Sequence, residues 1–141
     1  MSPRFLVALS LAGTAACSGG GTLMYSASTL SSTTPQDAYV CAGEQLKTLG
    51  YRVMAHDDET HRVVAERDNP EIRDPSGLFK RGFDRFEITT VPDASGKTAL
   101  AIKAQSYKES LTARGNNQDE IQATAKAKAD SKTVMAACAA D

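Results

Sequence analysis

The spacing of hydrophobic residues along this chain predicts one helix, then four strands, then a second helix. Ala38, Leu46 and Leu49 recur at helical spacing, and four later segments alternate apolar and polar residues as half-buried strands do. Short polar turns join the first strand to the second and the third to the fourth, so both pairs are antiparallel. The order αββββα therefore predicts an α+β fold: a four-stranded antiparallel sheet with the N-terminal and C-terminal helices packed on one face.

Residues with capping preferences set the ends of both predicted helices. Thr34 is placed to cap the first helix, Pro35 suits its first position, and Gly50 ends it. A second capping pattern, Asn117 with Glu120, predicts that the last helix begins there and continues to position 139. The four predicted strands cover residues 51–56, 61–67, 83–91 and 98–107.

The N-terminal residues 1–16 have the plan of a secretory signal peptide. Arg4 supplies positive charge, residues 5–12 form a short apolar segment, and Ala15 and Ala16 are small residues at a cleavage position. The apolar segment is shorter than the roughly 18–20 residues that span a bilayer. We therefore expect export, followed by removal of this segment.

The residues around that cleavage position, Thr14-Ala15-Ala16-Cys17, resemble the lipobox of bacterial lipoproteins. In that family the cysteine receives a diacylglyceryl group and becomes the first residue of the mature chain, so the resemblance implies that Cys17 is lipidated. Ser18 follows the cysteine, a pattern that the family usually sorts to the outer membrane. In a bacterium with one membrane the protein would stay on the outer face of the plasma membrane. Thr14 stands where the family usually has Leu, and ordinary signal cleavage after Ala16 is the alternative.

Residues 17–33 have the composition of a flexible tether. Gly19, Gly20 and Gly21 precede a run of Ser and Thr, which cannot bury enough apolar surface to fold. A tether of this kind would hold a domain away from the membrane that carries the lipid. The remaining residues, 34–141, have the size of one domain and are predicted to form a single α+β domain.

Cysteine and charge composition add two expectations. Cys41 and Cys138 both lie on the apolar stripes of the predicted helices, and export implies an oxidising compartment, so we expect a disulfide between them. A disulfide that closes so long a loop stabilises the folded state by up to about 4–5 kcal/mol in the chain-entropy model. Two buried free thiols are the alternative. The net charge is −1, from 16 basic and 17 acidic residues, which excludes a strongly basic nucleic-acid binder.

The first predicted hairpin carries the only two histidines in the chain. The candidate metal ligands there are His56, Asp57, Asp58 and His61. If Val53 and Ala55 both face the core, the loop has three residues and the histidines point to opposite faces. If Met54 instead pairs with Val63, the loop has four residues and the histidines sit side by side. The apolar pattern favours the first register, and a solvated hairpin turn is the alternative to a metal site.

A second candidate surface lies where the predicted loop of residues 68–82 enters the third strand. Aromatic and basic residues interleave there, and the candidate partner contacts are Phe79, Lys80, Arg81 and Arg85. A long loop in so small a domain is more often functional than a short one. The alternative is a loop whose aromatic residues simply anchor it to the core.

No nucleophile elbow, phosphate loop, paired Cys-x-x-Cys or zinc-protease helix is present in the sequence. We therefore expect a cell-envelope lipoprotein whose domain is a non-enzymatic binding or accessory module without a cofactor. Its expected partners are the membrane, through the N-terminal lipid, and an envelope protein or a cell-wall polymer, but no nucleic acid. The alternative is a small metal-dependent or hydrolytic enzyme that uses the hairpin from His56 to His61.

Overall fold

A computed structural model describes residues 22–139, which form two helices and one six-stranded antiparallel sheet. The elements, in chain order, are β1 (Tyr25–Ser31), α1 (Pro35–Thr48), β2 (Arg52–Asp57), β3 (Arg62–Asp68), β4 (Phe79–Pro92), β5 (Thr98–Thr112), β6 (Gly115–Ile121) and α2 (Ala125–Cys138). The predicted α+β class is confirmed, whereas the predicted count of four strands is wrong. The predicted signal peptide and Cys17 lie outside the described residues.

The long strand β5 organises the sheet. The strand order is β1-β5-β4-β3-β2, and β6 also pairs with β5. The first half of β5 pairs with β1, from Tyr25↔Ala104 to Ser31↔Thr98, and its second half pairs with β6. Strands β1 and β6 therefore share one edge of the sheet, and β2 forms the other edge.

Strand β1 corrects the predicted tether of residues 17–33. Residues 25–31 of that segment are paired with β5, and their exposure alternates until Ser31 is fully buried. The Ser and Thr composition concealed this, because a strand gains its hydrogen bonds from a partner far away in sequence. Short hydroxyl side chains such as Thr29 are also compatible with a half-buried pleated surface.

Strand β6 corrects the predicted start of the last helix. Asn117 and Glu120, which resemble a capping box, lie in an exposed strand that turns back along β5 after Gly115, whose φ is +107°. The helix α2 begins only at Ala125, where Thr124 is the N-cap and its side chain accepts a hydrogen bond from Ala127 N at 3.1 Å. Strand β5 extends five residues beyond the predicted strand end at position 107, and these added residues pair with β6 to form a hairpin.

Strand β4 also begins earlier than predicted, so the predicted loop of residues 68–82 shrinks to residues 69–78. Gly82 lies within β4 beneath that loop. A Cβ atom on Gly82 would come within 2.2 Å of the Ile72 Cβ, so only glycine lets the loop close over the strand.

The boundaries of α1 agree with the sequence prediction. The Thr34 side chain accepts a hydrogen bond from Asp37 N at 3.1 Å, and Pro35 is the first helical residue. Leu49 caps the C-terminus, and Gly50 follows with a φ of +85°, a conformation that favours glycine.

Both helices pack on one face of the sheet and share one core with it. The core residues are Tyr39, Ala42, Leu46, Tyr51, Val63, Ala65, Phe86, Ile88, Leu100, Ile102, Ala104, Ala127, Val134 and Cys138. A disulfide joins Cys41 of α1 to Cys138 at the end of α2, with a Cα–Cα distance of 5.7 Å and a sequence separation of 97 residues. The predicted disulfide is thus confirmed, and it links the two helices to each other.

Candidate functional site

The face of the sheet that the helices leave uncovered carries an ordered group of side chains. Alternate residues of β3, β4 and β5 point to this side, because their neighbours in each strand point into the core. We call this group the open-face cluster. Its members are Glu66, Arg81, Phe83, Arg85, Tyr107 and Glu109.

Two aromatic rings form the centre of the open-face cluster. Phe83 and Tyr107 occupy paired positions and stack with a centroid distance of 5.2 Å and an interplanar angle of 17°. The Arg81 guanidinium lies 4.4 Å from the Phe83 centroid, and the Arg85 guanidinium lies 4.7 Å from the Tyr107 centroid. Phe83 is consequently fully buried, although it points away from both helices.

Carboxylates hold the two guanidinium groups in place. Arg85 donates to one Glu66 oxygen from Nε at 2.8 Å and from Nη2 at 2.6 Å. Arg81 donates from Nε to Glu109 at 2.9 Å and from Nη1 to Asp68 at 2.8 Å. Each arginine contacts an aromatic ring and a carboxylate at the same time, so its side chain is held in one arrangement within the domain itself.

The electrostatics of Glu109 show how tightly these charges are coupled. Burial alone would raise its pKa, but hydrogen bonds from Lys80, at 3.1 Å, and Arg81 outweigh burial and hold the pKa of Glu109 below its ordinary 4.5. Burial likewise works against the charge of Arg81, yet its bonds to Asp68 and Glu109 raise its pKa. Glu109 and Arg81 are therefore both charged at neutral pH.

The open-face cluster changes the interpretation of the predicted contact residues. Lys80, Arg81 and Arg85 do come together, but each is paired with a carboxylate, so they do not form a free basic patch. The sequence analysis missed Tyr107 and the acidic partners. Only the strand register brings them beside residues that lie 13 to 28 positions away in sequence.

Phe79, the fourth predicted contact residue, is not a member of the cluster but shares a groove with Lys80 and Arg81. It lines an open groove of about 680 Å³ beside the loop of residues 69–78, together with Ile72 and Arg73. The groove has a partly apolar wall, and both of its acidic residues are already bonded, Asp74 to Lys108 and Asp68 to Arg81, each at 2.8 Å.

The first hairpin adopts neither of the two registers considered. Val53 pairs with Ala65, but a bulge at Met54 shifts the register, so that Ala55 pairs with Val64 and turns away from the core. The favoured register, with both Val53 and Ala55 facing the core, is therefore wrong.

The hairpin also separates its candidate metal ligands. Asp57 accepts hydrogen bonds from the backbone N–H groups of the turn, Asp58 accepts one from the Tyr39 hydroxyl at 2.9 Å, and the His61 ring bonds to Gln36 at 3.0 Å. Burial and the bond to Asp58 raise the pKa of Tyr39 to about 12. His56 instead lines a groove between α1 and β2.

No group of three or more His, Cys, Asp or Glu residues within positions 22–139 is arranged to hold a metal ion. The enzyme alternative therefore lacks an assembled ligand set at this hairpin.

A second polar group lies beneath α2, on the covered side of the sheet. We call it the buried polar cluster. Its members are Tyr51, Arg67, Asn69, Asp84, Ser106, Thr124 and Asp130.

Two carboxylates form the centres of the buried polar cluster. Asp84 is fully buried and accepts hydrogen bonds from Ser106 at 2.6 Å, Asn69 at 2.8 Å and Thr124 at 3.1 Å. Asp130 accepts from Arg67 at 2.7 Å and from the Tyr51 hydroxyl at 3.0 Å. The cluster thus fastens the start of α2 to three strands.

The buried polar cluster has the character of a structural element. Among the described residues, no buried side-chain nitrogen or oxygen lacks a hydrogen-bond partner, so the polar groups of the cluster are bonded to one another within the fold. Burial raises the pKa of Tyr51 far above its ordinary 10.0, which keeps the hydroxyl neutral as a donor to Asp130. The sequence analysis missed this cluster because its members come from distant segments.

No protein-family model matches this chain, and no curated protein is significantly similar to it. In the part of the chain that the structure describes, neither helix is long and apolar enough to cross a membrane.

Proposed function

We propose that this chain is an exported, lipid-anchored cell-envelope protein whose domain binds another envelope protein through the open face of its sheet, without catalysis. The observation that carries the proposal is the open-face cluster. It presents two arginines over two aromatic rings on the one sheet face that the helices leave uncovered. The anchor would be a diacylglyceryl group on Cys17.

The disulfide supports export. Disulfides form and persist in oxidising compartments and are rare in the reducing cytosol. Cys41 and Cys138 are joined in the structure, and Cys17 is the one cysteine left over in the chain. Lipidation of Cys17 would leave no free thiol in the exported protein. We place the anchor in the outer membrane, or on the outer face of the plasma membrane in a bacterium with one membrane.

The residue types of the open-face cluster support binding. Tyr and Arg are enriched among the residues that dominate protein–protein affinity. Here they are already fixed by stacking and ion pairs, so less side-chain entropy is lost on association. Exposed Leu30 and Val91 flank Ala99 at the other end of the same face, which adds apolar area for a partner.

The charges of the cluster favour a protein over a polyanion. Both arginines of the cluster are paired with carboxylates, and neighbouring Lys80 is paired with Glu109 as well. A nucleic acid or an acidic cell-wall polymer would need uncompensated positive charge.

Site-specific photo-cross-linking in intact cells tests the proposal. A photoreactive amino acid replaces Gln105, which pairs with Arg85 on the open face, and in a control chain it replaces exposed Lys132 on α2. We expect a discrete protein adduct from position 105 and none from position 132. Equal labelling from both positions, or adducts that only a cell-wall hydrolase releases, would contradict a protein partner at this face.

The anchor is tested separately. Metabolic labelling with an alkyne fatty acid should mark the parent chain and should be lost in Cys17→Ser. Labelling that survives this substitution, or that never occurs, would refute lipidation at Cys17 while leaving the cross-linking result to decide the binding face.

A further inference from the structure

Two leucines stand exposed side by side at one end of the sheet. Leu78 and Leu111 are 59% and 58% exposed, the highest values among the large hydrophobic residues described. Leu111 N donates a hydrogen bond to Leu78 O at 2.8 Å, so the two residues are neighbours across β4 and β5. We call this pair, with Ala113 and Arg114 of the adjacent β5–β6 turn, the leucine tip. Single exposed leucines are common, whereas a pair beside a projecting turn indicates a contact surface.

The chain enters the described domain near the middle of β5, somewhat closer to the leucine tip than to the opposite end. Leu23 O accepts a hydrogen bond from Ala123 N at 2.9 Å, directly after β6 ends at Ile121 opposite Ser106. Leu23 therefore lies at the level of Ser106 on β5. From there to Leu111 the strand advances five residues, or about 17 Å at the usual rise of a strand.

The length of chain between the proposed lipid and the domain fits this distance. Six residue steps separate Cys17 from Leu23, and a segment of that length spans at most about 20 Å. An acyl group on Cys17 can thus lie in the same plane as the leucine tip. Exposed Leu30 lies in the opposite direction along β1, about 23 Å from Leu23 at the same rise per residue, beyond that span.

The charge around the leucine tip complements an anionic lipid surface. Residues 72–82 and 108–119 hold five basic side chains, of which Lys80, Arg81 and Lys108 are already paired with carboxylates. Within the described residues, the guanidinium groups of exposed Arg73 and Arg114 have no acidic partner. Exposed cations beside apolar side chains are typical of surfaces that rest on anionic phospholipids.

We propose that the leucine tip rests in the headgroup region of the membrane that carries the Cys17 lipid, so that Leu78 and Leu111 form a second membrane contact. This inference rests on the proposed lipidation. Two leucines alone bind a bilayer weakly, and the anchor would supply the high local concentration that makes the contact persistent. The contact would fix the orientation of the domain and hold the open face of the sheet roughly perpendicular to the membrane.

Tryptophan fluorescence of the full lipidated chain tests the contact. The chain has no tryptophan, so Leu111→Trp introduces a single probe at the tip and Leu30→Trp introduces a matched probe at the far end. Each chain is purified from host membranes and reconstituted into vesicles of phosphatidylethanolamine and phosphatidylglycerol whose acyl chains are brominated.

The expected result is a blue-shifted emission that the brominated lipid quenches for Leu111→Trp, and a water-like, unquenched emission for Leu30→Trp. Adding Arg114→Glu to the Leu111→Trp chain should reduce the quenching, and omission of phosphatidylglycerol should reduce the difference between the two chains. Equal and water-like emission from both probes would overturn the inference.

The mass of the N-terminal peptide separates the two proposals. If the peptide carries the lipid and Leu111→Trp is still unquenched, the tip contact is wrong and the anchor stands. If the peptide carries no lipid, the anchor is wrong and the tip inference falls with it. Quenching in the lipidated chain that disappears in Cys17→Ser would support both.

Discussion

The two faces of the sheet use the same chemistry, arginine paired with carboxylate, at different depths. On the covered face, Asp84 is fully buried, and Arg67 is bonded to Asp130 under α2. On the open face, the side chains of Arg81 and Arg85 are 28% and 29% exposed and lie over aromatic rings. The first arrangement fastens a helix to strands, and the second orders a surface that solvent and a partner can reach.

This difference leads to a separation of roles. Changes in the buried polar cluster should lower stability first, because removal of one partner leaves a buried polar group without its hydrogen bond. Changes of the partly exposed arginines in the open-face cluster should lower partner capture first, because ion pairs near the surface add little to stability.

Removal of the disulfide should lower the free energy of unfolding more than the other changes do. Replacing both Cys41 and Cys138 by Ala frees a loop of 97 residues in the unfolded state, and we expect the free energy of unfolding to fall by about 4 kcal/mol. Urea denaturation of the oxidised parent and the double variant measures the difference. A loss below about 1 kcal/mol would show that the link between the helices adds little to the fold.

Asp84→Ala should lower the free energy of unfolding by about 3 kcal/mol, because Ser106, Asn69 and Thr124 each lose a buried acceptor. The matched control is Glu87→Ala, which removes a partly exposed carboxylate bonded to Arg62 and Lys103 on the open side of β4. For that control we expect a loss of about 0.5 kcal/mol. Similar losses for both variants would remove the distinction between the two faces.

Arg85→Ala should lower stability by only about 1 kcal/mol, since its side chain is partly exposed and its partner Glu66 keeps a second contact with Arg81. The same change should sharply reduce capture of a partner by the open face. Arg85→Lys keeps the charge but loses the planar guanidinium over Tyr107. Partner capture by Arg85→Lys should therefore lie between that of the parent and that of Arg85→Ala. Thermal unfolding and cross-linking yield, measured on the same three chains, check this pair of expectations.

The smallest effect is a pH dependence from Glu109. Its pKa is lowered in the folded state, so its contribution to stability is fully present above the ordinary value of 4.5 and is lost as the pH falls through the folded pKa. Glu109→Gln should therefore flatten the stability profile at pH values below the ordinary pKa of 4.5, relative to the parent. An unchanged slope in this variant would show that the pairing with Lys80 and Arg81 does not stabilise the fold.

Local sequence signals predicted the parts of the fold that depend on neighbouring residues. Helix α1 followed from Thr34, Pro35 and Gly50, because capping and left-handed backbone are decided within a few positions. The disulfide followed from two helical stripes that place Cys41 and Cys138 on the core side.

Long-range pairing decided the elements that the sequence did not predict. Strand β1 is rich in Ser, and β6 in Asn and Gln, so neither has the apolar alternation of a typical strand. Both exist because β5 is long enough to pair with each of them along one edge. The open-face cluster was hidden for the same reason, since Glu66 and Tyr107 reach Arg85 only through the register of three strands.

The most direct test of the binding face is the cross-linking yield from a photoreactive residue at position 105, compared between the parent background and Arg85→Ala. We expect a discrete protein adduct whose yield falls about tenfold or more in Arg85→Ala, with the fold intact by thermal unfolding. A yield that is unchanged in this variant would contradict the claim that the open-face cluster is the surface by which this protein binds its partner.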